Sequence, residues 1–177
     1  MAPGRVLMMC KSVHHRNTAS VARAIADVMR ATVVAPDNVP PDCLANYDLI
    51  GLGSGIYHGR FHPAILEWVR GLPIDHARPR RAFLFSTAGL SSLWPLWHRP
   101  LTAALARKGF SVVGEFHCRG FDTYGPLWLF GGINRHHPDQ RDLAHAADFG
   151  REMMAVLQSK METRLGLEPG GATTCAR

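Results

Sequence analysis

Apolar and polar positions alternate along this chain in two rhythms. Val6-Leu7-Met8-Met9-Cys10 is an unbroken apolar run, and with Arg5 it predicts a first strand, Arg5–Cys10, buried on both faces. Thr18–Arg30 then sets Val21, Ile25, Val28 and Met29 on one face of a helix. Thr32–Ala35 is short and β-branched, a second strand, and Pro36, Pro40 and Pro41 make the loop behind it. Asp48–Gly53 reads as the third strand. Phe61–Gly71 reads as a helix with Pro63 near its first turn and Ile65, Leu66 and Val69 facing inward. Arg81–Ser86 is the fourth strand, His98–Lys108 a helix stopped by Gly109, and Phe110–Cys118 the fifth strand. Leu143, Ala146, Ala147, Gly150, Met153, Met154 and Leu157 keep helical spacing in the last helix.

Five strands alternating with helices predict an α/β fold, a parallel sheet with helices on both faces. The chain shows no internal repeat. One domain is expected over residues 1–160, and Gly, Pro and Thr from about Met161 onward suggest a flexible tail over 161–177. Ligands in such folds bind outside the carboxyl ends of the strands. The loops after strands one, three, four and five are therefore the ones that matter.

Composition narrows the picture little. Of 177 residues, 46% are hydrophobic and 19% charged, as in a soluble globular protein. No apolar run reaches the ~18 residues of a membrane-spanning helix. With no room for a signal peptide before the first strand, a cytoplasmic location is expected. The formal charge is +6 and the pI about 9.6. That favours acidic partners, although the basic residues are scattered and a generally basic surface explains them equally well. Nucleic-acid binding has only the charge behind it, with no recognisable module. Cys10, Cys43, Cys118 and Cys175 form no Cys-x-x-Cys pair and read as free thiols.

The four loops carry the candidate chemistry. After strand one comes Lys11-Ser12-Val13-His14-His15-Arg16-Asn17-Thr18, where backbone N–H groups and a helix N-terminus suit a phosphate. A plain strand–helix turn capped by Thr18 or Asn17 is the competing reading. After strand three, Gly53-Ser54-Gly55-Ile56-Tyr57-His58-Gly59 lets backbone approach a flat ligand, with Tyr57 able to stack on it or to pack locally. After strand four, Ser86-Thr87-Ala88-Gly89 offers hydroxyls and N–H groups. After strand five, Gly120-Phe121-Asp122-Thr123-Tyr124 adds aromatics. One ligand would explain all four.

In this ordered set the chain resembles the flavodoxin family over about Arg5 to Leu157. Arg16-Asn17-Thr18 takes the place of that family's Gly-Asn-Thr, Tyr47–Tyr57 that of its third strand and first flavin loop, and Ser86-Thr87-Ala88-Gly89 that of its second. The resemblance implies a three-layer α/β/α flavodoxin-like fold with a five-stranded parallel sheet in the order 2-1-3-4-5, and FMN as cofactor. It implies that Ser12, His14, His15, Arg16, Asn17 and Thr18 surround the phosphate, that Ser54, Gly55, Ile56 and Tyr57 line one side of the ring, and that Thr87, Ala88 and Gly89 approach it from the next loop. Tyr124 would cover the other side. The chain departs from the family at Arg16, where a positive φ would strain an arginine, and at His14 and His15, which replace hydroxyls.

The implied role is electron transfer or flavin-dependent redox chemistry with a redox partner protein, a quinone or another small acceptor. Two alternatives remain at this level. One is a quinone-linked protoporphyrinogen oxidase, whose family members are also basic and extended near Cys118–His137. The other is a flavodoxin-shaped partner-binding module without FMN. In that long segment Pro126–Ile133 beside Asn134-Arg135-His136-His137 is an apolar stretch next to basic residues. It suits peripheral membrane contact through 126–137, or Trp128 and Phe130 simply cover the core. Ten histidines raise a metal site, but the adjacent pairs His14-His15 and His136-His137 do not converge on one ion. A serine hydrolase lacks its Gly-x-Ser-x-Gly elbow.

Overall fold

The computed structural model describes residues 5–90, 92–123 and 131–164, with side chains to 159. Strands β1 (Val6–Lys11), β2 (Thr32–Val34), β3 (Leu49–Tyr57), β5 (Arg80–Ala88) and β6 (Phe110–Arg119) form a parallel sheet in the order β2-β1-β3-β5-β6. A two-residue strand, β4 (Arg60–Phe61), pairs antiparallel with the end of β3. Counting the parallel strands alone, the order is 2-1-3-4-5. Helices α1 (Asn17–Met29) and α4 (Gln140–Arg164) pack together on one face, and α2 (Pro63–Gly71) and α3 (Trp94–Arg107) on the other.

The unbroken apolar run of β1 serves both faces at once. Val6 and Met8 enter the core beneath α1 and α4, whereas Leu7 and Met9 enter the one beneath α2 and α3. In β3 the alternation carries glycine instead. A Cβ on Gly51 would lie 2.4 Å from the Phe83 ring, and one on Gly53 would lie 2.0 Å from that of Phe85. The two phenylalanines of β5 thus fill the space that the β3 glycines leave, so these glycines are packing residues rather than loop residues.

Several boundaries differ from the sequence pattern. β3 runs to Tyr57, not Gly53, because Ser54 and Gly55 keep their register with Ser86 and Thr87 while Ile56 and Tyr57 pair with β4. β4 is too short to show a period. α3 begins at Trp94 rather than His98 and holds Pro100 in its interior. α4 continues to Arg164. The segment after β6 ties back on itself, with Asp122 and Ile133 bridged antiparallel and the Phe121 N–H donating to the His137 carbonyl at 2.8 Å. Tyr124, Trp128 and Phe130 lie outside the described residues. Among the described residues no helix is long and apolar enough to cross a membrane.

Candidate functional site

The loop from β1 to α1 arrives in a left-handed turn. His15 and Arg16 have φ of 51° and 56°, so the arginine does occupy the backbone region that favours glycine. Arg16 is the N-cap of α1 and supplies no capping side chain, which leaves the first N–H groups of the helix open to an anion. Just before the turn, the Ser12 hydroxyl is buried without a hydrogen-bond partner.

Three loops meet at the carboxyl edge of the sheet around a cavity of about 150 Å³. The first loop contributes His14, Asn17 and Thr18. The end of β3 contributes Gly55, Ile56, Tyr57 and His58. The end of β5 contributes Thr87, Ala88 and Gly89, and the segment after β6 closes the far side with Gly120, Phe121 and Asp122. Nine of the residues expected around a flavin therefore converge. His58, Gly120, Phe121 and Asp122 join them; they belong to the candidate loops, but the resemblance assigns them no role at the cofactor.

Four others take different places. Ser12 and Arg16 face a second groove, between α1 and β2. His15 turns outward, its Nε2 2.9 Å from Thr123 Oγ1 and its ring 4.2 Å from that of Phe121. Ser54 lies beneath the cavity: its hydroxyl donates to the Gly55 carbonyl at 2.7 Å and accepts the His62 N–H at 2.9 Å, fixing the start of α2. Tyr124 lies outside the described residues.

Three of the converging side chains hold the loops to one another. Thr18 Oγ1 and Thr87 Oγ1 are 2.8 Å apart and buried, and Asn17 Nδ2 donates to the Phe121 carbonyl at 2.8 Å. Asn134 in turn donates to the Gly89 carbonyl at 2.7 Å. The cavity walls are thus fastened by hydrogen bonds between loops. Tyr57 leans into the cavity over Gly55, where a Cβ would come within 2.9 Å of its hydroxyl. Burial raises the Tyr57 pKa, and the Val13 and His14 N–H groups facing its oxygen partly oppose that rise. Those two N–H groups belong to the phosphate-type loop, so the tyrosine hydroxyl sits where an anion would compete for them.

Beneath the β5 loop lies a second polar cluster, drawn from three elements. Ser86 Oγ is 2.7 Å from His98 Nε2 and 2.9 Å from His117 Nδ1. His98 Nδ1 is 3.1 Å from Glu115 Oε2, and Thr102 donates to the other carboxylate oxygen at 3.0 Å. Burial lowers the His98 pKa to about 4. Burial, then the neighbouring His98 ring, lowers His117 to about 4 against a smaller opposing pull from Asp142. The close carboxylate at 3.1 Å would favour a charged ring, but the fully buried His98 stays neutral near pH 7. One hydrogen-bond direction then satisfies the chain: His98 Nδ1–H donates to Glu115, Ser86 O–H donates to His98 Nε2, and His117 Nδ1–H donates to Ser86. His117 Nε2 ends the chain as a bare acceptor, buried and without a partner.

Ser86 is itself fully buried, so this serine–histidine–glutamate array presents no nucleophile to solvent. Cys10 and Cys118 are no better placed, because burial pushes both thiols up to about 12. His137, Asp139 and Asp142 bring ligand-type atoms within 4.8 Å of one another, yet they act as a cap on α4. Asp139 Oδ1 accepts the Arg141 and Asp142 N–H groups, and Asp142 Oδ2 accepts from Asp139 N–H and His137.

No family model matches the chain. An uncharacterized protein of Methanocaldococcus jannaschii, MJ0298, is 41% identical over 150 residues, spanning 85% of this chain and 98% of that protein. Among solved structures, a flavodoxin from the domain Archaea superposes with a TM-score of 0.65 at 15% identity, over 87% of this chain and 99% of that one. The rubredoxin:oxygen oxidoreductase of Desulfovibrio gigas does so at 0.66 and 14% identity, over 89% of this chain and 37% of that one. Oxidised flavodoxin 2 from Bacillus cereus gives 0.58 at 16% identity, over 88% and 99%. These likenesses establish a flavodoxin-like fold.

Proposed function

The chain belongs to the family of the M. jannaschii protein MJ0298, and we propose that it binds FMN at the carboxyl edge of its flavodoxin-like sheet and works in electron transfer. One observation carries this reading: the loops after β1, β3 and β5 converge on a single cavity, although they are far apart in sequence. One further feature fits a phosphate, namely the uncapped start of α1, whose Asn17 and Thr18 line the cavity. FMN would supply the redox chemistry, taking up and returning electrons at its ring.

The residues on the page have definite tasks in this reading. The Val13 and His14 N–H groups take the anion once the Tyr57 hydroxyl gives way. Displacing Tyr57 also enlarges a cavity whose 150 Å³ is below the ~300 Å³ at the lower end for ligand pockets. Thr18 and Thr87 keep the first and third loops at fixed spacing. Asp122 places a carboxylate over Gly89, where a Cβ would lie 2.6 Å from it. That charge disfavours added negative charge nearby and so holds the flavin's potential down.

The test is to load the purified chain with FMN, pass it through a desalting column and examine its absorbance. A retained flavin band that bleaches with dithionite and returns with a quinone supports the reading. FMN that separates wholly from the protein overturns it in favour of a partner-binding module.

A further inference from the structure

Helix α3 turns an uncommon face outward. Its inner face, with His98, Leu101 and Leu105, is buried. Leu93 at its N-cap is 45% exposed and Leu96 56%, and Leu90 in the loop before it is 63% exposed. Half of the six exposed large hydrophobic side chains among the described residues thus fall within seven positions. Pro95, Pro100 and Ala103 extend the same outer surface.

The charges on α3 itself are of one sign, and the Asp122 carboxylate lies beside Gly89 at the cavity end of the patch. The outer faces of the other helices mix signs: Arg23 with Asp27 on α1, Glu67 with Arg70 on α2, Asp148 with Arg151 on α4. α3 exposes Arg99 and Arg107 and no acid, and no Asp or Glu occurs anywhere between Asp75 and Glu115. Glu115 itself is turned inward to His98 and Thr102. At the cavity end two more exposed arginines border the patch. Arg60 follows Gly59, which packs against the Trp97 indole, and Arg119 pairs in register with Ala88.

From this we infer that the outer face of α3, with the loop before it, docks on an anionic phospholipid bilayer. Leu90, Leu93 and Leu96 enter the acyl boundary, while the Trp94 and Trp97 rings stay packed on the His117 side of the helix. Arg60, Arg99 and Arg119 meet the lipid phosphates. A second copy of this face is a poor occupant, because it would set arginine against arginine. Leu90 directly follows Gly89 of the cavity wall, so docking brings the cavity mouth to the membrane surface. The inference concerns the surface alone and stands whether or not FMN binds.

The test uses the full chain, with and without FMN, cosedimented with vesicles of phosphatidylcholine and of phosphatidylcholine mixed with phosphatidylglycerol. We expect sedimentation with the mixed vesicles, weakened by salt, and little with the neutral ones. The pair Leu93→Asp and Leu96→Asp should weaken binding at least about tenfold, and Arg99→Gln roughly fivefold. Ala155→Asp, on the outside of α4, makes a similar charge change elsewhere and should alter binding far less. Circular dichroism confirms that each variant is folded. Equal sedimentation of the leucine variants and the parent would overturn the inference, as would no binding to the anionic vesicles. A solution dimer that Leu93→Asp dissociates would also overturn it, assigning the face to a second copy.

Discussion

Two histidine clusters lie at the same edge of the sheet and obey opposite rules. His14 and His15 belong to one contiguous loop, face solvent, and meet side chains of neighbouring segments, Tyr57 and Thr123. His98 and His117 come from a helix and a strand, are held by Ser86 and Glu115, and are kept neutral by burial. The first cluster can rearrange around a ligand at little cost. The second is part of the packing, and breaking it leaves buried polar groups without partners.

The largest expected difference is in stability. His98→Ala removes a fully buried ring and orphans both Ser86 and Glu115, so it should cost about 3 kcal/mol in urea unfolding. His14→Ala, on the exposed loop, should stay within about 0.5 kcal/mol. Comparable losses in the two variants would break the distinction.

Acid sharpens the same contrast. The folded pKa of His98 and His117 is about 4, below the ordinary ~6.5 of an unfolded histidine. The unfolded chain therefore binds more protons between those values. The stability tied to these rings is fully present above pH 6.5 and falls as the pH drops toward 4. At pH 5 the loss should approach about 2 kcal/mol for each ring. Urea midpoints at pH 7 and pH 5 measure it. In His98→Gln the slope should be roughly halved, whereas in His14→Gln it should be unchanged.

Smaller effects belong to the loop. Arg16→Gly relieves a left-handed residue and should stabilise the fold by about 1 kcal/mol, read as a higher melting temperature. Tyr57→Phe keeps the ring but removes the hydroxyl that faces the Val13 and His14 N–H groups. FMN should then bind roughly fivefold more tightly by fluorescence titration. Weaker binding in that variant would mean that the hydroxyl assists the cofactor.

The same contrast explains what the sequence disclosed. The parallel sheet followed from apolar runs, and the first loop stood out because its residues are consecutive. The buried network did not, since Ser86, His98, Glu115 and His117 are gathered by pairing and packing rather than by spacing. One local signal existed: Glu115 and His117 share a face of a strand whose intervening Phe116 packs on the α4 side. Polar residues on the inward face of a strand under a helix call for a buried partner. The apolar spacing of Leu101, Ala104 and Leu105 predicts α3 only from His98, whereas the helix begins at Trp94 with Pro95 in its first turn and carries the exposed Leu96 there. Arg16 shows the reverse case: comparison with glycine at the same place raises the question of a positive φ, and the backbone adopts one.

The most direct measurement is a titration of the purified chain against FMN and, in parallel, riboflavin, following flavin fluorescence. The account expects saturable quenching by the protein with FMN and markedly weaker binding of riboflavin, which lacks the phosphate that the Ser12–Thr18 loop is held to grip. Unchanged fluorescence at saturating FMN would contradict it, and equal affinity for the two flavins would remove the loop from the site.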